Sequence, residues 1–235
     1  MDSARLAQTH NSPAVPQVKK KTVFVVDDHP LLRQGLALMI NREQDLTVCG
    51  EAEEAHTAMR EIAAKQPDIV IADISLNGPD GLDLLKSLRM LYPTLPVLIL
   101  SMHDESIYAE RSLRARANGY IMKAEATEKV LVAVRRILGG DIYLSDRMAN
   151  KLLHQYVSGA AADVNSRLSA LSDRELEVFR LIGEGNSTRQ IAEKLHLSVK
   201  TVETYQAHIK EKLSLHSGRE LVQHAIQSNI TDKTT

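Results

Sequence analysis

Acidic, hydroxyl and ammonium side chains stand directly after short apolar segments of this sequence. The residues are Asp27, Asp28, Asp73, Ser101 and Lys123. Such β-branched segments are typical of strands buried on both faces of a parallel sheet. Because the carboxyl ends of parallel strands meet at one edge of the sheet, we expect these side chains to share a pocket. A lone Asp after a strand is more often a turn former, so the prediction depends on this convergence.

Three carboxylates in one pocket repel one another unless a hard cation joins them. Mg²⁺ suits such a pocket because it binds a few oxygen ligands and keeps several waters. Beside the ion, the Asp73 carboxylate could be an in-line nucleophile toward a phosphoryl group. Lys123 would offer a point charge and Ser101 a donor to the phosphoryl oxygens. The simpler alternative is a solvated acidic rim with one salt bridge. It does not explain why these residues all stand directly after predicted strands.

Strands and helices alternate along the first part of the chain. The predicted strands are 22–26, 46–49, 69–76, 96–100 and 119–122, and segments with helical apolar spacing lie between them. The last of these helices, Thr127 to Leu138, is followed by Gly139 and Gly140, a typical stop signal. This alternation predicts an α/β fold, a doubly wound five-stranded parallel sheet covered by helices on both faces.

The rest of the chain differs in pattern. Residues 141–166 hold a helical segment, Leu144 to Val157, and then a small aperiodic stretch, so we interpret them as a linker. From 167 to 230 the patterns are helical only, which predicts a second, all-α domain of four helices. Residues 22–140 are the first domain, and 1–21 are predicted to be a disordered tail.

The composition is that of an ordinary globular protein. Of the 235 residues, 25% are charged and 43% hydrophobic, and the formal net charge is −1. The single cysteine, Cys49, excludes an internal disulfide and suits a reducing cytoplasm. No apolar run approaches the ~18 residues of a membrane span, and residues 1–21 lack the apolar centre of a signal peptide. We therefore expect a cytoplasmic protein without a membrane partner.

The first domain resembles a known family at several short motifs. They are Val25-Val26-Asp27-Asp28, the Asp73 strand with Asp80-Gly81, Leu98-Ile99-Leu100-Ser101 and Gly119-Tyr120-Ile121-Met122-Lys123. Together they resemble the receiver domain of a two-component response regulator. The resemblance implies a flavodoxin-like sheet of order 2-1-3-4-5 and reversible phosphorylation by a partner histidine kinase.

The same resemblance implies a role for each residue of the pocket. Asp73 would be the phosphoacceptor, and Asp28, Asp73 and the Ser75 carbonyl would bind Mg²⁺ directly. Asp27 would act on the ion through water, and Lys123 would be the lysine of the phosphate site. Ser101 and Tyr120 would form the switch pair, with the Tyr120 ring turning inward on phosphorylation.

The second domain has a signature of its own. Ser172 and Glu175 have the spacing of a capping box at the start of a helix. Two short helices, Arg189 to Leu195 and Val199 to Leu213, are joined by a tight turn, which predicts a DNA-reading helix-turn-helix. The segments 188–192, 197–204 and 209–213 resemble the LuxR-type module. The whole chain therefore resembles a NarL/FixJ-type response regulator.

The second helix of the pair offers candidates for contacts with double-stranded DNA. Glu203, Thr204 and Ala207 could reach base edges. Phosphate contacts, which position the helix without specifying sequence, are predicted for Arg189, Lys200, Thr201 and Lys210. Glu203 could equally pair with Lys200 or Lys210 on the helix surface.

The predicted function is a phosphorylation-activated transcription regulator, not an enzyme beyond its own phosphorylation and dephosphorylation. Acidic and basic residues nearly balance in 167–230, so one module should bind DNA weakly, and we expect a homodimer on promoter DNA. Leu221, Val222 and Ile226 are its candidate contact, unless they only complete the core. Before phosphorylation the receiver is expected to pack over Val199 to Leu213. RNA polymerase is a further candidate partner.

Two other classes compete with this prediction. One is an aspartyl-phosphate phosphatase or phosphotransferase acting on small molecules. Position 75 is Ser, so no acid stands there to protonate a leaving alcohol. The other is a signalling adaptor whose second domain binds protein, which DNA-binding measurements would separate from a regulator.

Overall fold

The structure is a computed structural model of the chain. It describes residues 19–76, 81–102, 105–158, 168, 170–195 and 197–233. Most of the predicted N-terminal tail lies outside the described residues. So do the turn after Leu76 and most of the linker stretch that follows Ser158.

A parallel five-stranded sheet forms the N-terminal half, as predicted. Its strands are β1 Lys21–Val26, β2 Leu46–Ala52, β3 Ile69–Asp73, β4 Val97–Ser101 and β5 Gly119–Met122. The spatial order is β2-β1-β3-β4-β5. The chain adds β2 on one side of β1 and β3, β4 and β5 on the other, so the sheet is doubly wound. β3 and β4 are buried at every position, which explains their unbroken apolar sequences. β3 ends at Asp73, three residues earlier than predicted, and β2 extends three residues further.

Helices cover both faces of the sheet and divide its core in two. They are α1 Pro30–Asn41, α2 Ala55–Lys65, α3 Gly81–Leu91, α4 Glu105–Arg114 and α5 Ala126–Leu138. On one face, Leu36 of α1 and Val134 of α5 pack with side chains of the sheet. On the other, Ile62 of α2 and Leu85 of α3 do so.

A helix stands where the sequence predicted one within the linker. It is α6, Asp146–Ser158. The Ser145 hydroxyl accepts from the backbone N–H of Met148 and donates to the Glu105 carboxylate of α4. Because one side chain both caps α6 and contacts α4, the first turn of the linker helix is held against the sheet-bearing half.

The remaining described residues form helices joined by turns. The elements are α7 Asp173–Gly183, α8 Thr188–Lys194, α9 Val199–Lys212 and α10 Gly218–Lys233. They surround their own buried residues, which include Leu176, Ile191, Val202 and Ala225. Across the parts of the chain described here, no helix has the length and apolar character needed to cross a membrane.

Candidate functional site

The predicted pocket residues meet at one edge of the sheet. β1 and β3 are neighbours with Val26 opposite Ala72, so Asp27 and Asp73 leave their strands side by side. Asp73 itself stands opposite Leu100, one residue before Ser101. The topology alone therefore brings together side chains that lie far apart in sequence.

Lys123 holds two of the carboxylates together. Its ammonium nitrogen lies 2.6 Å from Asp73 Oδ2 and 2.9 Å from Asp27 Oδ2, and the lysine side chain is only 4% exposed. Burial raises the pKa of Asp73, and the Lys123 ammonium opposes this rise without cancelling it. Two acidic groups thus share one cation in a desolvated place, where charge interactions are strong.

Described residues on either side of the turn after β3 lie against the end of that strand. The Ser75 backbone N–H donates to Asp73 Oδ1 at 3.1 Å, and the Gly81 N–H donates to the Ile74 carbonyl oxygen at 2.8 Å. A Cβ atom on Gly81 would lie 1.9 Å from the Asp73 carbonyl oxygen, so only glycine fits at the start of α3. The glycine lets the start of α3 lie directly against the backbone of Asp73 at the end of β3.

His29 is a pocket residue that the sequence reasoning missed. One ligand atom from each of Asp27, Asp28, His29 and Asp73 lies within 4.8 Å of the others. Asp27 Oδ2 and Asp28 Oδ1 are buried and make ion pairs, with the Lys123 ammonium at 2.9 Å and His29 Nδ1 at 2.6 Å, but no aligned hydrogen bond. Buried carboxylate oxygens with spare acceptor capacity, grouped around a lysine ammonium, fit a divalent cation. The signal for His29 was its position directly after Asp28.

Ser101 and Tyr120 lie beside the pocket in the sheet interior. Ser101, at the end of β4, is fully buried, and Tyr120 of β5 is 1% exposed. The ring is buried in this structure, and its predicted turn on phosphorylation stays a prediction. Any change at this residue would be a rearrangement within a packed interior.

The helix-turn-helix forms as predicted, with a capping side chain at each helix start. The Ser172 hydroxyl accepts from the Glu175 N–H at 3.3 Å and the Ser172 N–H donates to Glu175, which completes the predicted capping box. Ser187 caps α8, and Ser198 caps α9 by accepting from the Thr201 N–H at 3.0 Å. These caps fix where α8 and α9 begin, and so the turn between them.

The predicted DNA contacts lie on an open surface. Exposed members are Arg189, Lys200, Glu203, Thr204 and Ala207, and Thr201 and Lys210 are half-buried. Arg189 is paired with Glu193 on its own helix at 3.3 Å, with 84% of its side chain exposed. The expectation that the receiver covers Val199 to Leu213 is therefore wrong for this face of α9.

An ion pair with one buried partner was also missed from sequence: the Glu175 side chain is 4% exposed, whereas that of Lys212 is 39% exposed. Lys212 of α9 lies 2.6 Å from Glu175 Oε2, so the capping residue of α7 also anchors the second helix of the pair. Burial would raise the pKa of Glu175, but hydrogen bonds from Lys212 and Ser172 outweigh it and lower the pKa. One carboxylate thus fixes two helices.

The receiver contacts the start of α7. Arg111 of α4 donates to Asp173 Oδ1 at 2.9 Å and to the Leu168 carbonyl oxygen at 2.6 Å, and Lys86 of α3 reaches Asp173 Oδ2 at 3.2 Å. Arg174 donates to the Leu76 carbonyl oxygen at 3.4 Å, close behind Asp73 in sequence. Contacts therefore run from the segment that follows β3 and Asp73 to the first helix of the second domain.

Apolar packing follows the same path. The cluster of buried side chains that includes Tyr108 and Ala109 of α4 extends to Leu171 and Leu176 at the start of the second domain. Burial raises the pKa of Tyr108 on α4, and the negative charge of Glu177 on α7 adds to the rise. This effect of Glu177 indicates that α4 and α7 face each other.

Similarity to known proteins covers both halves of the chain. Residues 23–135 match the response regulator receiver domain, and residues 169–225 match the bacterial regulatory proteins of the luxR family. The oxygen regulatory protein NreC of Staphylococcus carnosus (strain TM300) is 36% identical over 214 residues, which are 89% of this chain and 99% of the relative.

Solved structures agree with this assignment. A LuxR-family two-component response regulator from Aurantimonas sp. SI85-9A1 is 31% identical, with a TM-score of 0.55 over 59% of this chain and 99% of that one. RcsB from Salmonella enterica serovar Typhimurium, bound to the promoter rprA with the phosphomimetic BeF₃⁻, is 24% identical and supports the fold alone. Its TM-score is 0.57 over 88% of this chain and 98% of that one. The chain therefore belongs to the NarL/FixJ-type two-component response regulators, phosphorylation-activated transcription regulators with a receiver and a LuxR-type DNA-binding domain.

Proposed function

We propose that a partner histidine kinase activates this regulator by phosphorylating Asp73. The observation that carries the proposal is the buried Asp73 carboxylate at the carboxyl edge of the sheet, 2.6 Å from Lys123 and beside Asp27. A group held in this way is fixed for in-line attack and protected from bulk water. The chain would catalyse only its own phosphorylation and dephosphorylation.

The residues of the pocket divide the chemistry among them. Asp28, Asp73 and the Ser75 carbonyl would hold Mg²⁺, with Asp27 acting through water. When bound, the ion would offset the negative charge of the incoming phosphoryl group. An Asp73 oxygen forms the new O–P bond as the N–P bond of the kinase phosphohistidine breaks. Lys123 and Ser101 would then donate to the phosphoryl oxygens.

Phosphorylation would reach the second domain through the segment after β3. Leu76, three residues from Asp73, accepts a hydrogen bond from Arg174, and Arg174 stands beside Asp173 in the contact with Arg111. A phosphoryl group on Asp73 would draw Lys123 and Ser101 toward itself and reshape the Ser75–Leu76 segment. We propose that the contact at the start of α7 then loosens and frees the second domain.

The freed domain would bind promoter DNA as a homodimer. Leu221 is buried and completes the core, so it is not available as a contact residue. Val222 and Ile226, one turn apart on α10, remain 43% and 39% exposed and are the better candidates for a symmetric contact. RNA polymerase would be the next partner at the promoter. A cytoplasmic location follows from this function.

Phosphorylation at Asp73 can be tested directly on the full chain. Incubation with Mg²⁺ and acetyl phosphate should add one phosphoryl group, measured by intact mass, which is stable in acid and released by base. Asp73→Asn should abolish the gain, and Asp28→Ala should abolish it by removing a metal ligand. Asp83→Asn, which changes an exposed carboxylate on α3, is the matched control and should be labelled normally. Labelling of Asp73→Asn would refute the proposal.

Dimer formation needs a separate measurement. A two-fold operator can be selected from random DNA with the phosphorylated full chain, and its complex measured by analytical ultracentrifugation. We expect two chains per operator, and weaker binding by Ile226→Glu, which places a charge in the proposed contact. A one-to-one complex of full affinity would contradict the homodimer.

A further inference from the structure

Arg33 reaches from α1 to the end of β1 and contacts the backbone that joins two acidic residues of the pocket. Its Nη1 group donates to the Asp27 carbonyl oxygen at 2.5 Å, and the arginine side chain is only 15% exposed. The ladders that pair β1 with β2 and with β3 both end at Val26, one residue before this carbonyl. A helix side chain therefore supplies the hydrogen bond that the sheet no longer provides there.

This hydrogen bond acts on both acidic residues, because the Asp27 carbonyl belongs to the peptide unit that links Asp27 to Asp28. The atoms of a peptide unit lie in one plane, so holding the carbonyl also limits rotation of that plane between the two Cα atoms. Two other bonds hold the same turn. The Asp27 N–H donates to the Ala52 carbonyl oxygen at 3.1 Å, and the His29 N–H donates to Asp27 Oδ1 at 2.8 Å. Arg33 adds support to the turn from the side of α1.

Two carboxylates at the end of β2 orient the guanidinium group of Arg33. Its Nε lies 3.5 Å from Glu51 Oε2, and its Nη2 lies 3.8 Å from Glu53 Oε2. These glutamate side chains are 38% and 65% exposed, so the two pairs contribute little to stability by themselves. Because the guanidinium is a rigid planar fork, these pairs and the bond to the Asp27 carbonyl together fix its orientation. Arg33 thus connects α1, β1 and β2 beside the pocket.

We propose that Arg33 is a positioning residue of the metal pocket: through the backbone it holds the Asp27 and Asp28 carboxylates where a divalent ion needs them. The inference rests on the proposed function, in which Asp28 and Asp73 bind Mg²⁺ and Asp27 acts through water. Mg²⁺ demands near-octahedral oxygen geometry, so its affinity depends on how firmly the groups that carry its ligands are held. Arg33 therefore contributes to metal affinity through the turn and not as a ligand.

The sign of the change in Mg²⁺ affinity separates positioning from charge. If Arg33 acted through its positive charge, its removal would strengthen cation binding, because like charges repel. Positioning predicts the opposite: Arg33→Met should weaken Mg²⁺ binding ~10-fold, the lower end of the loss seen when supporting groups of metal ligands are removed. Arg33→Lys keeps the charge without the planar fork and should give a smaller loss of the same sign. Arg42→Met, which removes a charge from the exposed residue after α1, is the matched control and should leave the affinity unchanged.

Mg²⁺ titrations of the full chain, followed by the amide resonances of the pocket in NMR spectra, measure affinity in the folded state alone. Lost stability by itself therefore does not change the result. In labelling by acetyl phosphate, the Mg²⁺ concentration for half-maximal rate should rise in Arg33→Met by a larger factor than the maximal rate falls.

The outcomes distinguish this inference from the proposed function. Unchanged or tighter Mg²⁺ binding in every folded Arg33 variant would overturn the inference. So would an equal loss in Arg42→Met, or a lower maximal labelling rate at an unchanged half-maximal Mg²⁺ concentration. Asp28→Ala tests the proposed function separately: if this variant binds Mg²⁺ as the parent does, the metal pocket itself is wrong.

Discussion

The acidic pocket and the DNA-reading surface place their charged groups in opposite surroundings. In the pocket, Lys123 and Asp73 are nearly inaccessible to water and contact each other directly. On α9, Lys200 and Glu203 are exposed. This difference fits the proposed roles: a carboxylate that is to be phosphorylated gains from being desolvated and held in place, whereas side chains that are to contact DNA must stay accessible to it.

The difference also decides what each region contributes to stability. Pocket charges depend on their neighbours because burial makes an unpaired charge costly. The exposed residues predicted to contact DNA depend for their positions on the helices that carry them. Helix caps and the Glu175–Lys212 pair fix those helices. Substitutions in the pocket should therefore change stability, and substitutions on the reading surface should change binding.

The largest expected effect follows from removing the shared cation of the pocket. Without metal, Lys123→Met should lower the free energy of unfolding by ~3–5 kcal/mol, because Asp27 and Asp73 are then left as uncompensated buried charges. Lys129→Met breaks an exposed pair with Glu125 and should cost less than ~0.5 kcal/mol. Urea unfolding of the full chain, followed by circular dichroism, measures both. Equal losses in the two variants would contradict the contrast between buried and exposed charge.

The sequence predicted most of the pocket because topology determines it. Strand direction follows from the alternation of apolar segments and helices, and the family resemblance implies the strand order; together they bring Asp27, Asp73 and Lys123 to one edge. His29 escaped prediction because the direction of a side chain at a helix start depends on local backbone geometry. No periodicity in the sequence reports that direction.

Contacts between the two halves were harder to predict for a related reason. Asp173 lies in the first turn of α7 and Arg111 lies in α4, and the two side chains form an ion pair at 2.9 Å. Their pairing depends on how α4 and α7 meet, which the segment patterns do not encode. The same gap led to the wrong expectation that the receiver covers α9.

The next effect concerns the pair formed by the buried Glu175 and the more exposed Lys212 in the second domain. Glu175→Gln should lower the stability of that domain by ~1.5–3 kcal/mol, the range for hydrogen bonds to charged groups. The pKa of Glu175 is lowered from its ordinary 4.5, so its charge stabilises the fold above pH 4.5 and this contribution is lost as pH falls below it. The parent should lose stability in acid more steeply than Glu175→Gln, in thermal unfolding at stepped pH.

A matched control shows whether burial is the cause. Glu184→Gln changes the more exposed partner of Arg180 at the end of the same helix, and should have a small effect at every pH. A similar pH dependence in Glu184→Gln and Glu175→Gln would mean that the burial of Glu175 is not responsible.

A smaller effect is expected where the two halves meet. Arg111→Ala removes the donors to Asp173 and Leu168 and should weaken the contact by ~1–2 kcal/mol, a factor of ~5–30 in the docking equilibrium. Small-angle scattering should show a larger radius of gyration, because the halves separate more often. Arg114→Ala, which loses only a pair with Glu110 on its own helix, should leave the radius unchanged. An unchanged radius of gyration in Arg111→Ala would mean that this contact does not hold the two halves together.

The smallest effect is expected on the reading surface, and its kind matters more than its size. Lys200→Ala should weaken binding by less than ~1 kcal/mol, as for other exposed charges, and evenly across DNA sequences, because phosphates carry no sequence information. The slope of log affinity against log salt should fall by ~0.9 with the lost phosphate contact. Glu203→Gln should instead change which bases are preferred, since the carboxylate accepts from cytosine. Binding by both variants to a randomised operator pool across a salt series distinguishes these roles. A changed base preference in Lys200→Ala would mean that this lysine contacts base edges and not the phosphate backbone.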